Sequence, residues 1–381
     1  MAARMPAANW DGLLKRLSIR FAVERLTPDR EPDLCEFFKT AYRDQPAAPL
    51  FADEEFIRRR VRWLNERNPV PFDGGLPAWI CLHKGRIIGH FGVLSALAAV
   101  QGEEIPVCWS RDLIVAPDAR HLGAGPFLVM TAVRDAQRPL LAAGLNDESY
   151  LLFRQLGFHD GGTIPLFVKV RNARSLLETV AWPRWQRRAA AGLVGAAQRL
   201  ANRPRRRDQN LVVTEVDRFD EEFDRWWAGV ESAFPCVIRR TSATLTWRYQ
   251  DHPSHRYQCV VARRGRELCG IVVVRHGRSR GLPAGFISEL LTHPQDEPAL
   301  DALLGHAGDL LLATNAETPV FLRCPALHSS FEDALGRAGF LRVPSPLRWM
   351  QTHPQGMPAS GPLLKRAHWL LTAGDADLDM L

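Results

Sequence analysis

Polar and apolar positions alternate in a way that changes character several times along the chain. Arg20 to Leu26 reads as a first strand, Pro28 to Arg43 as a helix, and Asp53 to Glu66 as a second helix with Phe56, Val61 and Leu64 near one face. Ala78-Trp79-Ile80-Cys81-Leu82, a turn at Lys84-Gly85-Arg86 and Ile87 to Val93 then predict a β-hairpin. Trp109 to Val115 predicts another strand, stopped by Ala116-Pro117-Asp118. Gly125 to Ala136 predicts a helix, Leu140 to Gly144 a short buried strand, Ser149 to Leu156 a short helix, and Thr163 to Val170 a closing strand. The plan partly recurs downstream. Tyr257 to Ala262 and Leu268 to Arg275 form a second hairpin, Ala284 to Leu291 a strand, Pro298 to Leu312 a helix, Val320 to Arg323 a strand and Ser329 to Ala338 a helix. Two copies of one mixed α/β plan explain this order economically.

The expected organisation is a first domain over 1–170, a basic helical linker over 171–208, a second domain over 209–352 and a tail over 353–381. Between Lys169 and Arg207 stand eleven basic residues and one acid, Glu178, with Trp182, Trp185, Leu193, Val194 and Leu200 interleaved. Arg184 to Arg203 is rich in alanine and arginine and predicts a helix. Such a segment suits either a weak contact with an anionic membrane surface or acyl carrier protein, or a cover over a neighbouring domain.

Length and composition fit this reading. The 381 residues are 46% hydrophobic and 24% charged, as in an ordinary globular protein. Seven scattered cysteines, never spaced C-x-x-C, suggest neither a disulfide framework nor a zinc site, and His252-Pro253-Ser254-His255 lacks a third ligand and helical spacing. No metal is expected. The net charge of +7 rests on arginine, with only five lysines among 49 basic residues, and does not by itself point to nucleic acid. The absence of a long apolar run and of a signal-peptide layout leads to the expectation of a cytoplasmic protein. Oligomeric state is left open.

Chemistry concentrates in Asp112-Leu113-Ile114-Val115-Ala116-Pro117-Asp118-Ala119-Arg120-His121-Leu122-Gly123-Ala124-Gly125-Pro126. A strand delivers an Arg-x-x-Gly-x-Gly loop into a helix, and glycine-rich backbone at a helix start suits a diphosphate. Asn146 comes about twenty residues later, then Leu152-Phe153-Arg154-Gln155-Leu156-Gly157-Phe158. In order and spacing these segments resemble the two signature motifs of GNAT-superfamily acyltransferases, over roughly residues 20–170.

The resemblance implies an α/β fold with an α+β mixed sheet, here as two tandem GNAT-like domains, with acetyl-CoA or another acyl-CoA as co-substrate and a small-molecule amine, for example on an amino sugar, as acceptor. It implies that the amides of His121, Leu122, Gly123, Ala124 and Gly125 cradle the pyrophosphate, with Arg120 adding charge. Val115 pairs with pantetheine through its backbone, Asn146 faces the same arm, and Phe153 belongs to the cofactor-binding set. Two departures stand out: Pro126 removes one amide donor, and Phe153 occupies the position where many family members carry a tyrosine acid. Tyr150, one turn earlier, is the candidate acid or a rim tyrosine. Asp112 is the candidate base, or the ion-pair partner of an arginine such as Arg111; Glu148 is a weaker candidate, and Glu103-Glu104 suit a solvated turn.

The second copy lacks the glycines. Its corresponding stretch, Thr292-His293-Pro294-Gln295-Asp296-Glu297, carries acids that repel a pyrophosphate, so the second half resembles a degenerate GNAT domain. Its Trp247, Arg248 and Tyr249 either line an acceptor cleft or pack the domain. A non-catalytic pseudo-acyltransferase that binds a ligand or partner is the alternative reading of the whole chain.

Overall fold

The computed structural model describes residues 10–45, 47–178, 183–201, 208, 210–313, 317–352, 361–376 and 378–379; side chains are described for all of these except 197–201. Trp182, Leu200, Arg203 and Arg205 to Arg207 of the basic segment therefore lie outside the described side chains, as do the first nine residues and much of the tail.

In chain order the first half runs α1 (Trp10–Leu17), β1 (Ala22–Arg25), α2 (Glu31–Ala41), α3 (Ala48–Phe51), α4 (Glu54–Asn65), β2 (Ala78–His83), β3 (Arg86–Val100), β4 (Glu103–Val115), α5 (Ala124–Ala136), β5 (Leu140–Ala143), α6 (Asp147–Gln155), β6 (His159–Thr163) and β7 (Leu166–Val170). After α7 (Ala173–Glu178) and α8 (Arg184–Ala201) come β8 (Leu211–Val216), α9 (Glu221–Val230), β9 (Cys236–Ile238), α10 (Ser242–Leu245), β10 (Gln258–Arg264), β11 (Glu267–Ser279), β12 (Leu282–Thr292), α11 (Glu297–Ala313), β13 (Phe321–Leu327), α12 (Ser329–Arg337), β14 (Leu341–Val343), β15 (Arg348–Gln351) and β16 (Trp369–Thr372). The mixed α/β plan expected from the pattern is present in both halves. Glu103 and Glu104 open β4 instead of forming a solvated turn, because the hairpin from β3 runs on well past Val93.

The chain divides into two compact units whose boundaries differ from the expected ones. Unit 1 holds 1–98, 104–162 and 348–364; unit 2 holds 99–103, 163–347 and 365–381. The halves thus exchange strands. β7, read from the pattern as the end of the first domain, pairs antiparallel with β13 from Phe321↔Val170 to Pro325↔Leu166, in unit 2. In return β15 pairs antiparallel with β5 in unit 1, at Trp349↔Ala143, Met350↔Ala142 and Gln351↔Leu141. Thr352 extends that ladder, its hydroxyl accepting from Leu140 N at 2.9 Å. Local alternation carries no information about which distant strand completes an edge.

Unit 1 is layered. α5 covers one face of its sheet, where Leu128 sits over Gly89; α2 and α4 cover the other, where Phe38 meets the His90 ring edge-on at 4.9 Å. In unit 2, α11 lies on β11 and β12, with Leu303 over Gly270 and Leu311 over Gly285. All seven cysteines are buried. Trp185 and Leu193 of α8 are exposed. Among the described residues, no helix is long and apolar enough to cross a membrane.

The exchanged strand fits its place closely. A Cβ added to Gly161 of β6 would lie 2.4 Å from the Trp349 ring of β15, inside any real contact. Gly161→Ala is therefore expected to destabilise the protein by about 1–3 kcal/mol through overpacking, read as a lower urea midpoint with an unchanged slope.

Candidate functional site

The strand that leads to the glycine loop loses its neighbour part-way along. β4 and β5 run parallel but share only the pairs Cys108↔Leu140 and Trp109↔Leu141. Beyond them β5 continues against β15, and the β5-side edge of β4 from Ser110 to Val115 has no strand partner among the described residues. Backbone polar groups on such an edge call for another partner.

At the end of β4 the chain makes a 3-10 turn, Pro117–Leu122, and Gly123 comes next at φ 89°. Only glycine takes that left-handed conformation without strain, and it aims the chain into α5. The arrangement corrects part of the expected cradle. Within a 3-10 turn the amides of His121 and Leu122 point back at carbonyls three residues earlier, as Ala119 N does onto Ala116 O at 2.9 Å. Among the described residues the free donors are those of a helix start, at Gly123, Ala124 and Gly125; Pro126 has none, and Phe127 N already reaches Gly123 O at 3.4 Å. His121 and Arg120 are exposed beside them. Arg120 Nε lies 3.5 Å from the carbonyl of Val115. Gly125 is close-set against Leu152 and Val115, so the two motifs do meet.

Asn146 is exposed and caps α6, its side-chain oxygen accepting from Ser149 N at 2.8 Å. Glu148 is exposed in the first turn of that helix. Phe153 is buried, edge-on to Phe158 at 4.6 Å, within the unit 1 core. It is a packing residue and not a surface for a cofactor, because the α6 face it sits on turns inward. Tyr150 stands at the rim, where its hydroxyl donates to Asp160 Oδ2 at 2.7 Å and Arg348 lies over its ring at 4.5 Å. The bond to Asp160 raises its pKa, making it a weaker acid.

Asp112 is the centre of a partly buried polar cluster. Arg60 of α4 holds both carboxylate oxygens, at 2.7 and 2.9 Å, and Tyr42 donates at 3.4 Å. Arg111 is at 3.9 Å, so Arg60 is the main ion-pair partner. Burial pushes the carboxyl up, but Arg60 and Arg111 outweigh it and hold it well below the usual range. A carboxylate in that state is a poor proton acceptor at neutral pH; it fixes Arg60. Its backbone is unusual too, with φ 45°. Its carbonyl accepts from His90 Nδ1 at 3.0 Å. Arg60, His90, Arg111 and Asp112 line a cavity of about 20 Å³, room for one water molecule. Neither Arg60 nor His90 stands out in the sequence, although a histidine within the apolar run 87–93 is a visible signal.

In unit 2 the corresponding geometry is closed by the chain itself. β12 and β13 pair in parallel only at Ala284↔Phe321, Gly285↔Leu322 and Phe286↔Arg323. Past that point β13 pairs with β16, and the C-terminal segment 369–375 lies against both strands. The Asp379 carboxylate accepts from Ser288 Oγ at 2.7 Å, Tyr257 at 3.0 Å and Arg275 Nε at 3.2 Å, all buried or nearly so. Asp375 pairs with Arg240 at 2.8 Å. The next helix start carries Asp296, which caps α11 and pairs with Arg264 at 3.1 Å. Trp247, Arg248 and Tyr249 are buried, with Tyr249 donating to Glu289 at 3.1 Å; the packing reading describes them.

Solved structures share this architecture. A GCN5-related N-acetyltransferase from Anabaena variabilis superposes with a TM-score of 0.58 at 13% identity, over 87% of this chain and 72% of that one. The N-myristoyltransferase of Saccharomyces cerevisiae with bound myristoyl-CoA gives 0.55 at 12% identity, over 92% and 89%. The chain has the GNAT fold. A probable N-acyltransferase from Enterococcus faecalis gives 0.56 at 11% identity, over 87% and 72%. No family model and no curated protein matches the sequence.

Asp112 and Asp379 lend themselves to substitution. Because the folded pKa of Asp112 lies below its unfolded value near ~3.9, its contribution is complete at neutral pH and is lost as pH falls below about 4. Asp112→Asn, tolerated at positive φ, is expected to be less stable at pH 7 and to lose less stability on acidification, in urea titrations across pH. Asp379→Asn leaves Arg275 without its buried countercharge and is expected to cost about 3–5 kcal/mol in the same measurement.

Proposed function

We propose that unit 1 is an acyl-CoA-dependent N-acyltransferase that passes an acyl group, acetyl in the simplest case, to the amine of a small molecule or amino sugar. The observation that carries this reading is the unpaired edge of β4 ending at a left-handed glycine and a helix start. An extended amide-bearing arm suits the edge, and a diphosphate suits the helix start. The donor set fits the ligand: neutral amides at Gly123, Ala124 and Gly125, with Arg120 supplying positive charge nearby, and the neighbouring acid, Asp118, paired with Arg86 at 2.7 Å.

In this reading the thioester supplies the activated acyl group and the residues of the chain do the rest. Ser110 to Val115 orient the arm by backbone pairing, and a β4 amide stabilises the developing oxyanion. The Arg60–Asp112 pair places a fixed charge beside the reacting end. Asn146 closes the opposite side at the start of α6. The leaving thiolate takes its proton from solvent, since the Tyr150 hydroxyl is engaged with Asp160. The closed cleft of unit 2 leaves that half to support the fold.

Calorimetry with acetyl-CoA and longer acyl-CoAs, paired with thiol release against a panel of amines, tests this. Gly123→Val is expected to weaken acyl-CoA binding at least tenfold and to lose transfer. Gly281→Val, at a similar φ of 78° in a unit 2 turn with open space around it, is the control and is expected to bind like the wild type. Equal binding by both variants would overturn the proposal.

A further inference from the structure

We propose that His90 of β3 is the general base, removing a proton from the incoming amine at Nε2; the assignment rests on the acyltransferase reading of unit 1 and adds the residue that readies the acceptor.

The hydrogen bond to Asp112 decides the tautomer. A carbonyl oxygen only accepts, so His90 Nδ1 carries the proton in the 3.0 Å contact. In the neutral ring Nε2 then holds a bare lone pair, and it has no hydrogen-bond partner among the described residues. The surroundings keep that nitrogen available. Gly92, two residues on along the same face of β3, offers no side chain; a Cβ there would stand 3.3 Å from His90 Cε1 and 3.9 Å from Nε2. The ring borders the cavity of about 20 Å³ beside Asp112, where one water fits between Nε2 and an amine.

Position agrees with role. His90 projects to the α2 and α4 side of the sheet, opposite α5, and is tied to the residue at which β4 kinks, within the edge left unpaired by β5. The groups facing the ring are Tyr42 from α2, Arg60 from α4, and Arg111 and Asp112 from β4. Burial lowers the imidazole pKa ahead of the opposing pull of Asp112 and so favours the neutral ring.

The step balances without a further reactant. Nε2 takes one proton from the ammonium, the freed nitrogen pair forms the C–N bond as the C–S bond breaks, and the second N–H proton leaves for the thiolate or solvent. The imidazolium then returns its proton to solvent.

His90→Asn retains a donor near the Nδ1 position and removes Nε2. It is expected to bind acetyl-CoA as the wild type does in calorimetry, and to lose about 100-fold or more in thiol release with an alkylamine that is protonated at pH 7. With hydroxylamine, already neutral at that pH, the loss is expected to be small. A merely structural histidine would lower both rates together. Independently of turnover, nitrogen-15 NMR of labelled imidazole in the full chain is expected to show the Nδ1–H tautomer, with protonation setting in below the ordinary histidine range. An Nε2–H tautomer, or equal losses with the two nucleophiles, would overturn the assignment. Failure of the wild type to bind any acyl-CoA overturns the reading beneath it and this assignment with it.

Discussion

Two parallel strands that cease to pair leave a row of amides and carbonyls in want of partners, and the architecture of both halves depends on how that want is met. In unit 1 the separation of β4 from β5 begins after two residue pairs and leaves an edge some six residues long, Ser110 to Val115. In unit 2 the separation of β12 from β13 begins after three pairs, and the chain's own C-terminal segment fills the gap with a strand and two buried carboxylates. The same backbone geometry thus leaves an open edge in one copy and a closed one in the other. The residues just past each strand make the difference: glycine and a helix start with free donors in the first, Asp296 already hydrogen-bonded in the second.

The polar cluster around Asp112 is the other organising feature of unit 1. A non-glycine residue at φ 45° inside a strand is strained, and such strain persists only where the surroundings over-determine it. Here the surroundings are explicit: Arg60 grips the carboxylate, Tyr42 supports it, and His90 ties down the carbonyl. The kink, the fixed charge and the imidazole come as one unit. Asp112 therefore contributes by geometry and electrostatics, while its own proton affinity is too low for proton transfer at neutral pH.

Much of this is readable from residues, and the failures have physical causes. The hairpins, the helix after the glycine loop and the repeat of the plan are legible because period and turn chemistry are local properties. The Arg-x-x-Gly-x-Gly segment is legible because Gly123 is required by its backbone angle. The partner of Asp112 is legible only in part: Arg60, four residues after Phe56 and four before Leu64, falls on the apolar face of its helix, but helix period does not say which carboxylate it meets. Phe153 is misplaced by motif position because helix phase alone does not say which side faces the core. The reassignment of β7 and β15 is invisible for a related reason, since an edge strand is completed by whichever partner tertiary structure delivers.

That exchange sets a schedule for the nascent chain. Unit 1 needs residues 348–364, and the whole of 163–347 must be made between Gly162 and Arg348. At a synthesis rate of roughly 5–20 residues per second, β5 waits about 10–40 s on the ribosome with its outer edge bare, a template for mispairing. The first half is accordingly no autonomous module, and cutting the gene near residue 170 would strip one strand from each unit. An internal deletion that joins Gly162 directly to Arg348 is the natural way to obtain unit 1 alone.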